Sequence, residues 1–341
     1  MRVGLIGLGM MGSTHLRNYI AMKEAGEGVE LVAICDVDEA KLKAGEATVG
    51  NLEATAESFD LTPYTCYTCM EEMIKNENLD FVDICLPTHL HAPASIKAME
   101  MGVHVFCEKP MARSSKGCEE MIAASKRTGK KLMIGHVLRY WDVYVFAKDY
   151  IDRNVFGKVI GGYFYRGGTT PIWSWENWLL NNEYSGGCLL DQHIHDVDTI
   201  VWMFGLPKAV STAGINIIPG SGYDIVSTNY LYDDKVINAQ DDWLINGEGY
   251  NFEMLYRINF EKGALIFEKG KLIVHPEGGK AYQAEFEGRN AYYDEIVLFT
   301  KLLKGEADFD PIALLESHRD TILLAEAEER SADKNGALEV L

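Results

Sequence analysis

No apolar run in these 341 residues approaches the roughly 18 that a bilayer-crossing helix needs, so no membrane partner is expected. Basic residues are scarce. Lys and Arg number 32 against 51 Asp and Glu, a formal net charge of −19. That field repels nucleic acid and anionic membrane, and no basic stripe offsets it. The single basic run, Lys126-Arg-Thr-Gly-Lys-Lys131, closes a helical stretch, where cations complement the helix dipole. Little room precedes the first strand for a signal peptide, and the seven cysteines are an odd count, so reduced thiols in the cytoplasm are expected. Cys66-Tyr-Thr-Cys69 has metal-like spacing but lacks a partner pair, and no metal site is expected. Internal repeats and low-complexity linkers are absent as well.

What the chain does have begins at its first residues. Arg2–Ile6 reads as a strand, Gly7-Leu-Gly9-Met10-Met11-Gly12 fits G-x-G-x-x-G, and Ser13–Ala25 reads as a helix. Gly7 makes the tight turn, Gly9 lets a pyrophosphate approach the backbone, and Gly12 lets helix pack on strand. A second strand, Glu30–Cys35, ends at Asp36, placed to hold a ribose hydroxyl. This combination predicts a dinucleotide site that includes Met10 and Met11 at the helix start.

At this length two domains are expected, divided at residues 1–136 and 137–341. The fold class is α/β. Helices at Glu39–Ala56, Met70–Lys75, Pro93–Met101 and Ser115–Thr128 alternate with strands at Tyr64–Tyr67, Phe81–Leu86, His104–Cys107 and Lys131–Gly135. That alternation predicts a doubly wound parallel Rossmann sheet with ligands beyond the carboxyl ends of its strands. Past Gly157 the pattern becomes a meander. Val159–Phe164, Ala209–Ile217, Ile225–Tyr232, Val236–Trp243, Phe252–Phe260, Ala264–Phe267 and Lys271–His275 read as strands of a large, mainly antiparallel open sheet in an α+β domain. Gly187–Phe204, Asn290–Leu303 and Pro311–Asp333 are its helices.

Three positions suit chemistry. If Gly187–Phe204 is one helix, Asp191, His195, Asp198 and Trp202 share a face, and a carboxylate one turn from a histidine steadies its charged form. The same spacing suits a buried polar cluster anchoring a helix. His193 points to another face and reads as structural. Lys109, in Glu108-Lys109-Pro110, lies past a strand end on the cofactor side, and Pro110 restricts its backbone to extended geometry. Arg139, with Trp173, Trp175, Trp178 and Tyr184, suits a pocket lining, although such aromatics are also ordinary core residues. His89 and His91 lack a third ligand for a metal and read as packing beneath a nicotinamide ribose.

On these residues the chain resembles the glucose–fructose oxidoreductase, inositol dehydrogenase and MocA family. The marks are Gly7–Gly12 followed by His15, Pro87-Thr88-His-Leu-His91, Glu108-Lys109-Pro110, Asp191…His195…Asp198, and late Tyr293, Glu295 and Ser331. The resemblance implies a nicotinamide dinucleotide in the N-terminal domain, with Pro87, Thr88, His91, Glu108 and Lys109 beside it. It implies a sugar or polyol under the C-terminal sheet, with Lys109, Asp191 and His195 catalytic; Arg139 and Trp173 remain substrate-binding candidates from the residues themselves. The chain departs from many members in placing Gln192-His193 where they carry a small residue. NAD is expected over NADP, because Asp36 would repel a 2′-phosphate and neither Val37 nor Asp38 supplies a cation. A homo-oligomer is expected through the open sheet face, where Ile225, Tyr230 and Tyr232 would otherwise meet water. An NAD-dependent glycosidase with transient oxidation and a dinucleotide-sensing protein without turnover are the alternative functions.

Overall fold

The computed structural model describes residues 1–45, 58–250 and 252–341, which form two compact units. Met1–His136, Trp173–Trp178 and Tyr292–Arg319 make the first, and Val137–Ile172, Leu179–Ala291 and Asp320–Leu341 the second.

The first unit runs β1 (Arg2–Ile6), α1 (Met10–Ala25), β2 (Glu30–Cys35), α2 (Glu39–Ala44), β3 (Thr65–Tyr67), α3 (Met70–Asn76), β4 (Phe81–Ile84), α4 (Thr88–Glu100), β5 (His104–Glu108), α5 (Ser115–Thr128) and β6 (Leu132–Gly135). Its sheet has the order β3-β2-β1-β4-β5-β6 with every pairing parallel. The strand order reverses beside β1, which opens a ligand crevice at the carboxyl ends of β1 and β4. All four residues of β4 are buried, as a strand covered on both faces requires. Part of that cover comes from late in the chain. Phe299, in the helix Ala291–Lys304, sets its ring edge-on to Phe81 at 5.2 Å and 5.7 Å from Phe106. A single cut after residue 136 therefore leaves out a helix that the first sheet uses.

Two local expectations change. The helix at Glu39 ends at Ala44, because Gly45 takes a left-handed conformation and its N–H caps Lys41; the expected continuation through residue 56 lies outside the described residues. The helix expected from Pro93 begins five residues earlier. Extended Pro87 caps it, and Pro93 is tolerated inside, where it removes one donor.

The second unit carries α6 (Asp142–Asp152), β7 (Val159–Gly167), α7 (Asn182–Ser185), α8 (Gly187–Asp191), α9 (Ile194–Phe204), β8 (Ala209–Ile215), β9 (Ile225–Leu231), β10 (Val236–Asp242), β11 (Glu253–Phe260), β12 (Gly263–Glu268), β13 (Lys271–Pro276) and β14 (Tyr282–Gln283). The late helix Ala291–Lys304 is α10; α11 (Pro311–Asp333) and β15 (Glu339–Val340) follow. Nine strands order as β14-β13-β12-β11-β7-β10-β9-β8-β15, all antiparallel except β7 against β10. Val226, Thr228 and Tyr230 of β9 and Ile237, Ala239 and Asp241 of β10 are buried on one face. Tyr230 is thus not at the open face as expected. It belongs to the alternate register and is 2% exposed, its hydroxyl 3.3 Å from His193 Nε2. Tyr232 lies past the strand, half-buried, donating to Gly205 O at 2.6 Å.

The expected helix Gly187–Phe204 is broken into α8 and α9 at Gln192-His193. Both residues of the break are buried and tied to distant elements. The amide of Gln192 donates to Asp241 Oδ1 at 2.6 Å and to the Asp242 carbonyl at 2.8 Å. The ring of His193 pairs with Glu328 at 3.1 Å. Among the described residues no helix is long and apolar enough to cross a membrane.

Candidate active site

Two of the three glycines of the first turn, Gly7 and Gly12, have a steric reason. Gly7 holds φ +93°, and a Cβ there would sit 2.4 Å from the Cys85 carbonyl oxygen. At Gly12 a Cβ would come within 1.9 Å of the Gly7 oxygen, so α1 could not pack against the turn. A Cβ on Gly9, by contrast, would meet nothing within 4 Å. Gly9 also caps α1 without a side chain, leaving the first amides, at Met10 and Met11, to an incoming anion. The turn therefore fits a pyrophosphate.

Asp36 follows β2 and is only 8% exposed. Its Oδ2 accepts from Leu8 N at 2.7 Å and its Oδ1 from Asp38 N at 2.9 Å, so the carboxylate is pinned at the mouth of the glycine turn. Lys41, which sequence reading did not single out, brings its Nζ to 3.7 Å from Oδ2. It stands one turn into the helix that Asp38 caps.

Thr88 is buried at the start of α4. The His91 ring lies between two backbone carbonyls, with Nδ1 2.7 Å from Pro110 O and Nε2 2.7 Å from Leu86 O. It ties the end of the β4 segment to the loop after β5. Burial lowers its pKa more than the two carbonyls raise it. Glu108 is the last residue of β5 and faces inward. Its Oε1 lies 3.0 Å from His15 Nε2, and its Oε2 accepts from Lys109 N at 3.0 Å. Asp83 completes the group, with Oδ2 2.8 Å from His15 Nδ1 and accepting from the Tyr19 hydroxyl at 2.7 Å. Burial pulls the His15 pKa down, but Asp83 and then Cys85 hold it well above the ordinary imidazole value. Glu295 of α10 is fully buried beside His15 and Glu108, with no hydrogen-bond partner on either oxygen among the described residues. Burial, reinforced by Glu108, raises its pKa well above the ordinary carboxylate value, which favours the protonated form. Lys109 itself is half-buried, its backbone held by this cluster.

In the second unit, Asp191 closes α8 and His195 lies in the first turn of α9, so the spacing of one continuous helix does not apply across the break. Gln192, His193, Ile194 and Asp196 are buried, whereas Asp191 and His195 remain half-buried. In a stretch otherwise committed to the interior, these two stay accessible. Asp198 does not join them. It is 1% exposed and bidentate with Arg139, at 2.7 and 2.8 Å, and accepts from Thr321 at 2.9 Å. Arg139 is thus tied into a buried pair. Trp173 and Trp178 are half-buried and Trp175 and Tyr184 exposed, so none of the four aromatics is a core residue.

Residues 1–136 match a family model described as an oxidoreductase family with NAD-binding Rossmann fold, and residues 144–266 match the GFO/IDH/MocA C-terminal domain. A 2,7-anhydro-N-acetylneuraminate hydratase from Mediterraneibacter gnavus is 31% identical over 214 residues, 62% of this chain and 52% of that protein. An inositol 2-dehydrogenase from Salmonella typhimurium is 28% identical over 238 residues, 64% of this chain and 66% of that protein. In fold, the chain is similar to a levoglucosan dehydrogenase solved with NADH and levoglucosan. That match has a TM-score of 0.82 at 20% identity and covers 100% of this chain and 99% of the other.

Proposed function

Because the chain belongs to the GFO/IDH/MocA family of NAD-binding oxidoreductases, we propose that it moves a hydride between NAD and a hydroxyl carbon of a sugar, inositol or related polyol. The first unit takes the dinucleotide, with the pyrophosphate at Gly7–Gly12 and the adenine ribose at Asp36. Bound NAD supplies the hydride acceptor. The second unit takes the polyol. The observation that carries the reading is accessibility: Lys109, Asp191 and His195 stay half-buried beside polar residues such as Glu108, Gln192 and Asp196 that are buried.

Taking a hydride from an alcohol carbon requires the hydroxyl to lose its proton, which an unassisted alcohol does poorly near neutral pH. His195 is assigned the proton, since imidazole is the side chain that is neutral yet basic there. Asp191 steadies the imidazolium. Lys109 donates to the substrate oxygen and offsets its growing charge. His195→Ala and Lys109→Ala are each expected to lower kcat about 10²–10⁴-fold while NADH affinity changes little. The assay is reduced-cofactor absorbance with a panel of inositols, hexoses and glycosides. Near-normal turnover of His195→Ala between about pH 6 and 9 would overturn the assignment. A second reading, an NAD-dependent glycosidase whose oxidation of a ring hydroxyl is reversed within the catalytic cycle, is favoured by a relative named as a glycosyl hydrolase family 109 protein. Product formed without net NADH distinguishes it.

The open sheet face supports self-association. Leu231 pairs with Val236 across β9 and β10, 38% and 75% exposed, and Ile215 on β8 is 50% exposed. Light scattering is expected to give a multiple of 38.2 kDa; a monomer at micromolar concentration would refute it. A cytoplasmic location, consistent with seven free cysteines, is checked by cell fractionation.

A further inference from the structure

We propose that Lys41 is a second determinant of cofactor choice: it offsets the charge of Asp36 and offers a cation to a 2′-phosphate, so the site also admits NADP. This rests on the reading of Asp36 as the residue that faces the adenine ribose.

Two backbone amides hold the Asp36 carboxylate, one on each oxygen. A carboxylate has about four acceptor positions, so two remain for ribose hydroxyls. Pinned in this way, Asp36 cannot swing aside for a phosphate, and taken alone it would exclude NADP. Lys41 changes that balance. Its Nζ lies 3.7 Å from Asp36 Oδ2, on a side chain only 21% exposed. The other charges of α2 are already committed: Asp38 caps Ala40 N, and Lys43 pairs with Glu39 at 2.8 Å. Lys41 is therefore the cation of this helix directed at the acid. A 2′-phosphate arriving at Asp36 would meet an ammonium as well as a carboxylate, whereas the two hydroxyls of NAD have little use for it.

NADH and NADPH binding to the full chain, followed by nucleotide fluorescence, tests this without knowledge of the substrate. The unmodified protein is expected to prefer NADH and still bind NADPH. Lys41→Ala should weaken NADPH about tenfold, the effect of one charge-assisted contact, and change NADH less than about threefold. Retained NADH binding shows that the variant is folded. Asp36→Ser should strengthen NADPH about tenfold, and adding Lys41→Ala should cancel most of that gain. If Lys41→Ala leaves the NADH:NADPH ratio unchanged while Asp36→Ser shifts it, the role of Lys41 is refuted and the ribose reading stands. If neither substitution shifts the ratio, the ribose reading fails and takes the proposal with it.

Discussion

Each unit encloses a buried polar cluster next to a candidate catalytic residue, and the two clusters are balanced differently. In the first, His15 is the single base among Asp83, Glu108 and Glu295. In the second, two bases, Arg166 and His193, meet Asp196, Asp241 and Glu328. Arg166 grips Asp196 through contacts of 3.0 and 3.3 Å, and His193 lies 3.8 Å from Asp241 and 3.1 Å from Glu328. An interior tolerates a carboxyl group when a cation and donors surround it, or when it keeps its proton. The second cluster relies mainly on the first solution. Even there Asp241 is pushed well above its ordinary pKa, by burial and then by Asp196, against the pull of His193. The first cluster leans on the second solution, since Glu295 has no hydrogen-bond donor among the described residues and shares His15 with Asp83 and Glu108. The clusters nevertheless do similar service: one fixes the backbone of Lys109, the other the helix break flanked by Asp191 and His195.

The contrast can be broken most forcefully at Arg166. Arg166→Met leaves Asp196 buried without its cation and should cost about 3–5 kcal/mol, read as a lower urea midpoint. A loss below about 1 kcal/mol would mean that Asp196 does not depend on its cation, and the two clusters would not differ in kind. At the other extreme, Glu295→Gln keeps the shape and removes an acid whose protonated form burial favours. Its pKa is raised on folding, so the folded protein holds more protons than the unfolded chain above about pH 4.3, and stability falls as pH rises from there through the folded pKa. The Gln variant lacks this loss. It should match the parent near pH 4 and gain on it with rising pH, by at most about 1.4 kcal/mol per pH unit. A constant difference between pH 5 and 9 would show that Glu295 is ionised, and would place the two clusters on the same footing.

Much of the first unit was readable in order along the chain. The strands Arg2–Ile6 and Glu30–Cys35 and the helix Ser115–Thr128 fall where periodicity and caps put them, because local propensity and burial agree there. Asp36 could be picked out at the end of a strand, but Lys41 could not, since nothing in its spacing shows that Nζ returns to the acid. Asp191 and His195 were picked out as candidates by the family pattern and by a one-helix spacing that the structure does not keep. The break between them was not legible, because it is held by Asp241 and Glu328, on elements that lie 49 and 135 residues beyond their partners Gln192 and His193.

By itself the sequence determined the order of strands and helices, the glycine turn and the acid after the second strand. Each depends on steric demands and on a hydrophobic period that act over a few residues. Only the tertiary structure decided that Glu108 faces inward to His15, that Arg139 is spent on Asp198, that Tyr230 lies on the covered face, and that a helix some 200 residues away in sequence completes the first sheet. Those outcomes follow from burial. Once a polar group leaves water it must find a partner or keep a proton, and which partner is near depends on how the whole chain packs.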